Sequence, residues 1–258
     1  MRRVFATVGT TSFDDFVRSL CSRPFLVAMA ESSAGARGDE REDCWSLDLA
    51  IQYGRGTSPR AFLPPSLLLD APAHESDDGA GAAVLSVPVP RGTTTTGGGR
   101  GGAAGAEAPE GGGTARRREV RLRWYRFRPS LSSEMESADV ILTHAGAGTL
   151  LEALDIASSA KPKVIHAVIN STLMHNHQLE LAEELERRGH LRVTRECASE
   201  WTAEEGAARF WETTIGAFSP APFVGGASEG ESNFQEAVDS LMGFPPQENA
   251  HGLRKKTR

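Results

Sequence analysis

Hydrophobic and polar positions divide the chain into alternating strand-like and helix-like stretches. RVFATVG, SLDLAIQYG, ADVILTH and KVIHAVI are short apolar runs, REVRLRWYRF alternates polar and apolar residues, and all five predict strands. Apolar residues recur every three or four positions in TTSFDDFVRSLC, SLSSEMES, TLLEALDIA and HNHQLELAEELERR, which predicts helices. This order predicts an α/β fold with an open, mostly parallel sheet, in which ligands bind at the carboxyl ends of the strands.

Two helix ends carry local signals. Ser12 and Asp15 have the spacing of a capping box, so Ser12 is the predicted N-cap of the first helix. Gly189 is expected to end the helix that begins in HNHQLELA.

Low-complexity sequence interrupts the pattern. Twelve of the 27 glycines lie between Gly79 and Gly113, and such a stretch buries too little apolar surface to offset the entropy of ordering it. We therefore predict a disordered insertion over 71–118 and a shorter solvated loop over 31–43. The remaining roughly 150–180 residues match the size of one α/β domain.

Charge and composition exclude several classes of protein. The net charge of -6 argues against a nucleic-acid binder, and the three scattered cysteines lack the spacing of a metal or redox site. No stretch approaches the about 18 apolar residues of a membrane span, and the N-terminus lacks a signal peptide. These features predict a cytosolic chain with no transmembrane segment of its own.

The junction THAGAGTLLE places a glycine turn between a strand and a helix. Unpaired amides and the positive end of the helix dipole make such a junction an anion site, and Gly146 and Gly148 would let a pyrophosphate approach the main chain. The spacing matches neither a P-loop nor the dinucleotide fingerprint. The alternative is a tight turn chosen for packing.

Other polar residues near predicted strand ends are further candidates. Glu152 could accept hydrogen bonds from a ribose diol, and Asn176 and Gln178 suit the recognition of sugar hydroxyls or an acetamido group. His144 could act as a general base, although a packed core histidine is the plainer interpretation. In a second glycine turn, TVGTTSFDD, Gly9 and Thr10 could face the same ligand, or the turn could simply begin a helix.

The stretch ARRREVRLRWYRFR suggests a different interaction. Its seven arginines between Arg116 and Arg128 are interleaved with aromatic residues, as in some nucleic-acid or membrane-binding surfaces. The alternative is a strand with one solvated face.

Several segments together resemble one family. They are VFATVGTTSFDDFV, IQYGRGT, LRWYRFRPSLSSEMESADVILTHAGAGTLLEAL and VINSTLMHNHQLELAEELERRGHL, and SNFQEAVDSLMGFP is similar to the family's C-terminal segment. The family is the cytosolic catalytic subunit of the dolichol-pathway UDP-N-acetylglucosamine transferase, which corresponds to the C-terminal half of glycosyltransferase family 28.

The resemblance implies a single Rossmann-like lobe of a two-lobed GT-B glycosyltransferase. This lobe would hold UDP-N-acetylglucosamine as donor substrate and would need no metal or other cofactor. The implied inverting reaction transfers N-acetylglucosamine to N-acetylglucosaminyl-diphospho-dolichol at the cytosolic face of the endoplasmic reticulum. A separate membrane-anchored subunit would supply the other lobe, bind the lipid acceptor and provide the general base. In this chain, His144 is a weak candidate for that base.

The family's site residues carry over by position. The residues expected to contact the donor are Gly9 and Thr10 in the first turn, Gly146, Ala147, Gly148 and Thr149 at the diphosphate, Glu152 at the ribose, and Asn176 and Gln178 near the sugar. The expected organisation is a donor-binding lobe over 1–218 that includes the 71–118 insertion, then a linker over 219–232. A helix over 233–245 would dock on the partner subunit, or alternatively on its own domain.

Two other functions stay open at this point. The chain could be a catalytically inactive nucleotide-sugar-binding or regulatory subunit. It could also be an RNA- or membrane-binding adaptor that uses the arginine-rich strand.

Overall fold

The structure is a computed structural model that describes residues 2–32, 47–69, 74–89, 116–159, 161–170, 177–195 and 198–223. The strands are β1 (Arg3–Thr7), β2 (Leu47–Gln52), β3 (His74–Glu75), β4 (Gly81–Val89), β5 (Arg116–Tyr125), β6 (Val140–Thr143), β7 (Val164–Val168) and β8 (Arg192–Thr194). The α-helices are α1 (Asp14–Leu20), α2 (Arg23–Ser32), α3 (Ser132–Ser137), α4 (Ala147–Ser159), α5 (His177–Arg187) and α6 (Glu204–Arg209). Short 3₁₀ segments are Pro59–Phe62, Pro65–Leu67 and Ala198–Thr202, and a π-helix, Phe210–Gly216, follows α6.

The eight strands form one mixed sheet in the order β3-β4-β5-β2-β1-β6-β7-β8. The six strands from β5 to β8 in this order are parallel, whereas β4 is antiparallel to both β3 and β5. Because β1 lies between β2 and β6, the chain leaves β1 towards one side of the sheet and later returns to its other side. The point between β1 and β6 is therefore the topological switch point, where open α/β sheets form their ligand crevice.

Helices cover both faces of the sheet. Helices α1, α2 and α6 share one apolar core with alternate residues of the strands, among them Val4 and Leu49. Helices α3, α4 and α5 pack on the other face around Phe5 and Ile141. This two-faced burial explains the nearly continuous apolar sequence of the central strands. The predicted α/β fold with a mostly parallel sheet is confirmed.

The N-cap predicted for the first helix is wrong. Helix α1 begins at Asp14, and its N-cap residue Phe13 makes no side-chain capping bond. The Asp14 carboxylate instead accepts hydrogen bonds from the Thr57 amide at 2.8 Å and from its hydroxyl at 2.6 Å. The start of α1 is thus fixed by the loop after β2, a long-range contact that the local capping-box spacing could not reveal. By contrast Gly189, at φ +78°, follows the end of α5 as predicted.

The predicted disordered insertion over 71–118 is wrong for residues 74–89 and for the first residues of β5. Residues 74–89 contain β3 and β4, which extend the sheet beyond β5. Ala83, Leu85 and Val87 are buried on the α2 face of β4, whereas Val84 between them is 40% exposed. This period-two pattern was obscured by the glycine-rich sequence around it. Residues 90–115 lie outside the described part of the chain, so disorder there stays a prediction.

Two helical regions were missed. The segment 31–43 was assigned to a loop, but its first two residues close helix α2 and the others lie outside the described residues. In α2, Phe25, Leu26, Met29 and Ala30 form a buried stripe at helical spacing. Helix α6 and the π-helix pack against α2. The predicted helix over 233–245 and most of the linker lie outside the described residues. Among the described residues, no helix has the length and apolar character required to cross a bilayer.

Candidate functional site

The candidate residues gather at one edge of the sheet because the strands that precede them are parallel neighbours. Thr7, at the end of β1, pairs with Gln52 of β2 and with Thr143 of β6. Three segments therefore leave the sheet side by side: the first glycine turn, the loop after β2 and the HAGAG loop (144–148). On the other side of β6, strand β7 ends shortly before α5. This is the edge at which the sequence predicted a ligand site.

The first glycine turn is held by a buried glutamine. The Gln52 side chain accepts a hydrogen bond from the Thr7 hydroxyl and donates to the carbonyl oxygens of Gly9 at 2.7 Å and Arg126 at 2.8 Å. The Gly9 amide donates to Thr7 Oγ1 at 3.1 Å, and Gly9 has φ +63°, a conformation that glycine adopts without strain. Sequence reasoning did not single out Gln52, although a polar residue that ends a buried strand was an available signal. Thr10, also in this turn, is exposed.

His144 fills the space between the two glycine turns. Its side chain is buried, and a Cβ atom added at Gly9 would lie 2.5 Å from its Cε1, while one at Gly146 would lie 2.5 Å from its Nε2. The His144 amide also donates to the Thr7 carbonyl at 3.1 Å. Burial lowers the pKa of His144, and the main chain of Thr7 acts in the opposite direction. These contacts support the packing interpretation, and a role for His144 as general base stays a prediction.

The HAGAG loop changes direction sharply before α4. Ala145 is buried and has φ +63°, a left-handed conformation that costs a non-glycine residue about 1 kcal/mol or more. Helix α4 begins at Ala147, so the amides of Ala147, Gly148 and Thr149 belong to the first turn, where no intrahelical acceptor is available. A Cβ atom added at Gly148 would have no neighbour within 4 Å. The two glycines thus differ: Gly146 makes room for His144, whereas Gly148 leaves an open approach to the helix start.

The predicted polar contacts lie around this loop. Glu152, in the second turn of α4, is partly buried, and its Oε1 accepts a hydrogen bond from Ser132 Oγ at 2.8 Å. Gln178 is partly buried in the first turn of α5. Asn176 lies outside the described residues. Asn170, just after β7, donates to the Ser12 carbonyl at 3.3 Å and links that strand end to the first glycine turn.

The structure thus brings the predicted residues to one edge but joins only some of them. His144 packs on both Gly9 and Gly146, and α4, which begins directly after Gly146, carries Glu152 in its second turn. Within the described residues, no hydrogen bond joins Gln178 to this group. In the described ranges, no group of three histidine, cysteine, aspartate or glutamate residues has the arrangement to hold a metal ion.

Most arginines of the arginine-rich segment make hydrogen bonds to other parts of the same domain. Arg117 donates to Ser86, Arg118 to the carbonyl oxygen of Ala30, Arg123 to Asp48 and Glu134, and Arg128 to Glu134. The Arg128 guanidinium also lies 4.1 Å from the centre of the Tyr125 ring. Guanidinium groups fixed in this way hold β5 to its neighbours, which favours a structural role for them over a nucleic-acid or membrane surface.

The architecture defines an open α/β domain with two glycine turns at its topological switch point. Comparison with known proteins finds one matching family model: residues 112–200 match the glycosyltransferase family 28 C-terminal domain. The chain is 32% identical over 192 residues to the human UDP-N-acetylglucosamine transferase subunit ALG13, an alignment that covers 74% of this chain and 11% of the human protein. It is 44% identical over 70 residues to the subunit of that name from Yarrowia lipolytica, which covers 27% of this chain and 33% of that protein.

A solved structure was also matched. The NMR solution structure of ALG13 aligns with a TM-score of 0.46 and 17% identity, covering 93% of this chain and 97% of that one. The match to the family model and the identity to ALG13 subunits confirm the resemblance inferred from sequence. The alignments span about a tenth of the human protein and a third of the Yarrowia lipolytica protein.

Proposed function

We propose that this chain is the donor-binding, catalytic subunit of a UDP-N-acetylglucosamine transferase. Its reaction adds the second N-acetylglucosamine to N-acetylglucosaminyl-diphospho-dolichol, in the synthesis of the lipid-linked oligosaccharide for N-glycosylation. The observation that carries the proposal is the juxtaposition, at the sheet's switch point, of the Gly9 turn, the HAGAG loop and Glu152, within a chain related to transferase subunits.

The start of α4 suits the diphosphate of the donor. The amides of Ala147, Gly148 and Thr149 lack intrahelical acceptors, and the dipole of this 13-residue helix places about half a positive charge at the same end. The open approach at Gly148 leaves room for a phosphate oxygen near the main chain. As the bond between the sugar and UDP breaks, negative charge grows on the diphosphate, and fixed amides stabilise that charge without reorganising.

The remaining parts of the donor are assigned to neighbouring side chains. Glu152, one turn further along α4, accepts hydrogen bonds from the ribose hydroxyls, and Gln178 with Asn176 contacts the sugar. In this mechanism the acceptor hydroxyl attacks the anomeric carbon from the side opposite UDP and inverts its configuration. A general base takes the proton of that hydroxyl. The partner lobe supplies this base, because the His144 imidazole is enclosed between two glycines.

The partner and the location follow from the proposed acceptor. A membrane-anchored subunit completes the two-lobed GT-B enzyme, binds the dolichol-linked acceptor and recruits this chain to the cytosolic face of the endoplasmic reticulum. The proposed reaction uses no metal, because the helix dipole and the loop amides neutralise the leaving diphosphate. Addition of a chelator to the assembled enzyme is therefore expected to leave its activity unchanged.

The direct test measures transfer from UDP-N-acetylglucosamine to a synthetic N-acetylglucosaminyl-diphospho-polyprenol, with the chain alone and with its membrane-anchored partner. Glu152→Gln is expected to weaken donor binding by roughly 10- to 100-fold, the equivalent of losing hydrogen bonds to a charged group. Asp155→Asn is the matched control, since Asp155 is an exposed carboxylate on the same helix. Turnover is expected only when both subunits are present.

The outcomes separate the competing functions. Donor binding that Glu152→Gln weakens, combined with no turnover in the complete complex, would identify a catalytically inactive nucleotide-sugar-binding subunit. Absence of donor binding in both preparations would refute the assignment to this class of transferase.

A further inference from the structure

Glu152 is not an isolated carboxylate, because a pair of serines precedes it in a hydrogen-bonded chain. Ser132 Oγ donates to Glu152 Oε1 at 2.8 Å, and Ser130 Oγ lies 2.9 Å from Ser132 Oγ. Each hydroxyl has a single proton, and the proton of Ser132 is used on the carboxylate. Ser130 must therefore donate to Ser132, while Ser130 Oγ accepts from the Ser132 amide at 3.2 Å. The result is a directed row of donors that ends on the Glu152 carboxylate.

The helix that carries Ser132 is itself fixed firmly to the sheet. Glu134 of α3 is buried and accepts hydrogen bonds from Arg123 at 3.2 Å and from Arg128 at 2.8 Å. At the other end of the helix, the buried Lys163 donates to the Glu136 carbonyl at 2.6 Å. A six-residue helix is not stable alone, so these tertiary bonds determine where α3 lies. Ser132 is thus presented by a rigid element, and not by a mobile loop.

A carboxylate has about four acceptor sites on its two oxygens. The contact with Ser132 occupies one of the sites on Oε1, and Oε2 contacts no donor within the part of the chain that the structure describes. A partly buried glutamate without such an anchor would sample several rotamers, and only some of these would direct Oε2 toward a ligand. The serine therefore selects an orientation and leaves the other oxygen for the ligand.

We propose that Ser132 is a positioning residue that orients the Glu152 carboxylate for the hydroxyl groups of a ribose. This inference rests on the proposed function, in which Glu152 binds the ribose of UDP. Ser132 does not touch the nucleotide; it acts through Glu152. Its effect is consequently limited to ligands that carry the ribose hydroxyls.

The experiment compares the binding of UDP and of 2′,3′-dideoxyuridine diphosphate to the full chain by isothermal titration calorimetry. Ser132→Ala is expected to weaken UDP binding by about three- to tenfold, the range for one hydrogen bond, and to leave dideoxy-UDP binding unchanged. Ser132→Thr keeps the hydroxyl and should restore the preference for UDP. Ser133→Ala is the matched control, because Ser133 is the next residue of α3 and is exposed.

Each outcome bears on the proposal. A wild-type preference for UDP that is lost in Ser132→Ala, and kept in the threonine and Ser133→Ala variants, supports it. If Ser132→Ala keeps the wild-type preference for UDP, or weakens the binding of both ligands equally, the positioning role is refuted while the proposed function stands. Equal binding of the two ligands by the wild type refutes the ribose contact itself. A wild type that binds neither ligand refutes the proposed function and this inference with it.

Discussion

The two glycines of the HAGAG loop should respond in opposite ways to the same substitution. In Gly146→Ala the new Cβ atom would lie 2.5 Å from His144 Nε2, so the buried ring or the loop has to move. Overpacking of this kind costs about 1–3 kcal/mol. In Gly148→Ala the Cβ atom meets nothing within 4 Å, and alanine is the better helix former by up to about 1 kcal/mol.

Thermal unfolding and donor binding should therefore separate the two variants. For a domain of this size, 1 kcal/mol corresponds to about 2–4 °C in Tm, so Gly146→Ala is expected to lower Tm by roughly 2–12 °C. Gly148→Ala should keep or slightly raise it. If a phosphate oxygen approaches the main chain at Gly148, the same methyl group should weaken UDP binding by roughly 10- to 100-fold, the equivalent of a charge-assisted hydrogen bond.

Calorimetric melting of the free chain and titration with UDP measure both quantities on the same preparations. A fall in Tm for Gly148→Ala equal to that for Gly146→Ala would refute the steric distinction drawn from the structure. A Gly148→Ala variant with full stability and full UDP affinity would show that the diphosphate binds elsewhere. A Gly148→Ala variant that keeps its stability but loses affinity for UDP is the result that agrees with the proposal, in which Gly146 makes room for His144 and Gly148 makes room for the ligand.

Three further predictions concern buried polar groups. Burial, with a contribution from Arg192, lowers the pKa of His166 to about 3, whereas the unfolded value is near 6.5. Between about pH 3 and pH 6.5, His166 is therefore protonated in the unfolded chain but neutral in the folded one. The free energy of unfolding in urea should therefore fall by about 1–2 kcal/mol from pH 6.5 to pH 5, and His166→Gln should reduce that slope. Glu134→Ala, which leaves two arginines without their buried partner, should cost about 1–3 kcal/mol in the same assay, whereas Arg187→Ala at an exposed ion pair should change stability by less than about 0.5 kcal/mol. Gln52→Leu should lower Tm and make the Gly9 turn accessible to amide hydrogen exchange, and protection equal to the wild type would contradict the role given to Gln52.

The fold was predictable where burial alone decides the local pattern. The central strands are apolar because both faces of the sheet are covered, and the run before His144 was assigned correctly on that basis. Strand β4 was not found, because its alternation of buried Ala83 and Leu85 with exposed Ala82 and Val84 spans only a few positions inside glycine-rich sequence. The start of α1 was misplaced because it is fixed by a hydrogen bond from Thr57 to Asp14, two residues that lie 43 positions apart in the sequence.

The site was predictable as a location more than as a set of contacts. Strand ends followed by glycine turns indicated that the candidate residues share one edge of the sheet, because parallel neighbouring strands end at the same edge. Sequence spacing could not show that Gly146 serves His144 while Gly148 faces open space. It also could not show that Ser132 would reach Glu152, since that contact depends on how α3 lies against α4. Pairwise geometry of this kind exists only after the helices have packed.

The polar groups beneath the glycine turns explain how such small residues can form a defined site. Gly9 has no side chain with which to hold the shape of its turn, and an unsupported glycine would sample many conformations. Gln52 removes that freedom by bonding Thr7, the Gly9 carbonyl and the start of the loop after β5 at the same time, while it is itself buried. His144 does the same between the two turns by filling the space that their missing side chains leave. The chain therefore combines an open approach at Gly148 with turns that are held in one shape, and the proposed stabilisation of a leaving diphosphate would require both.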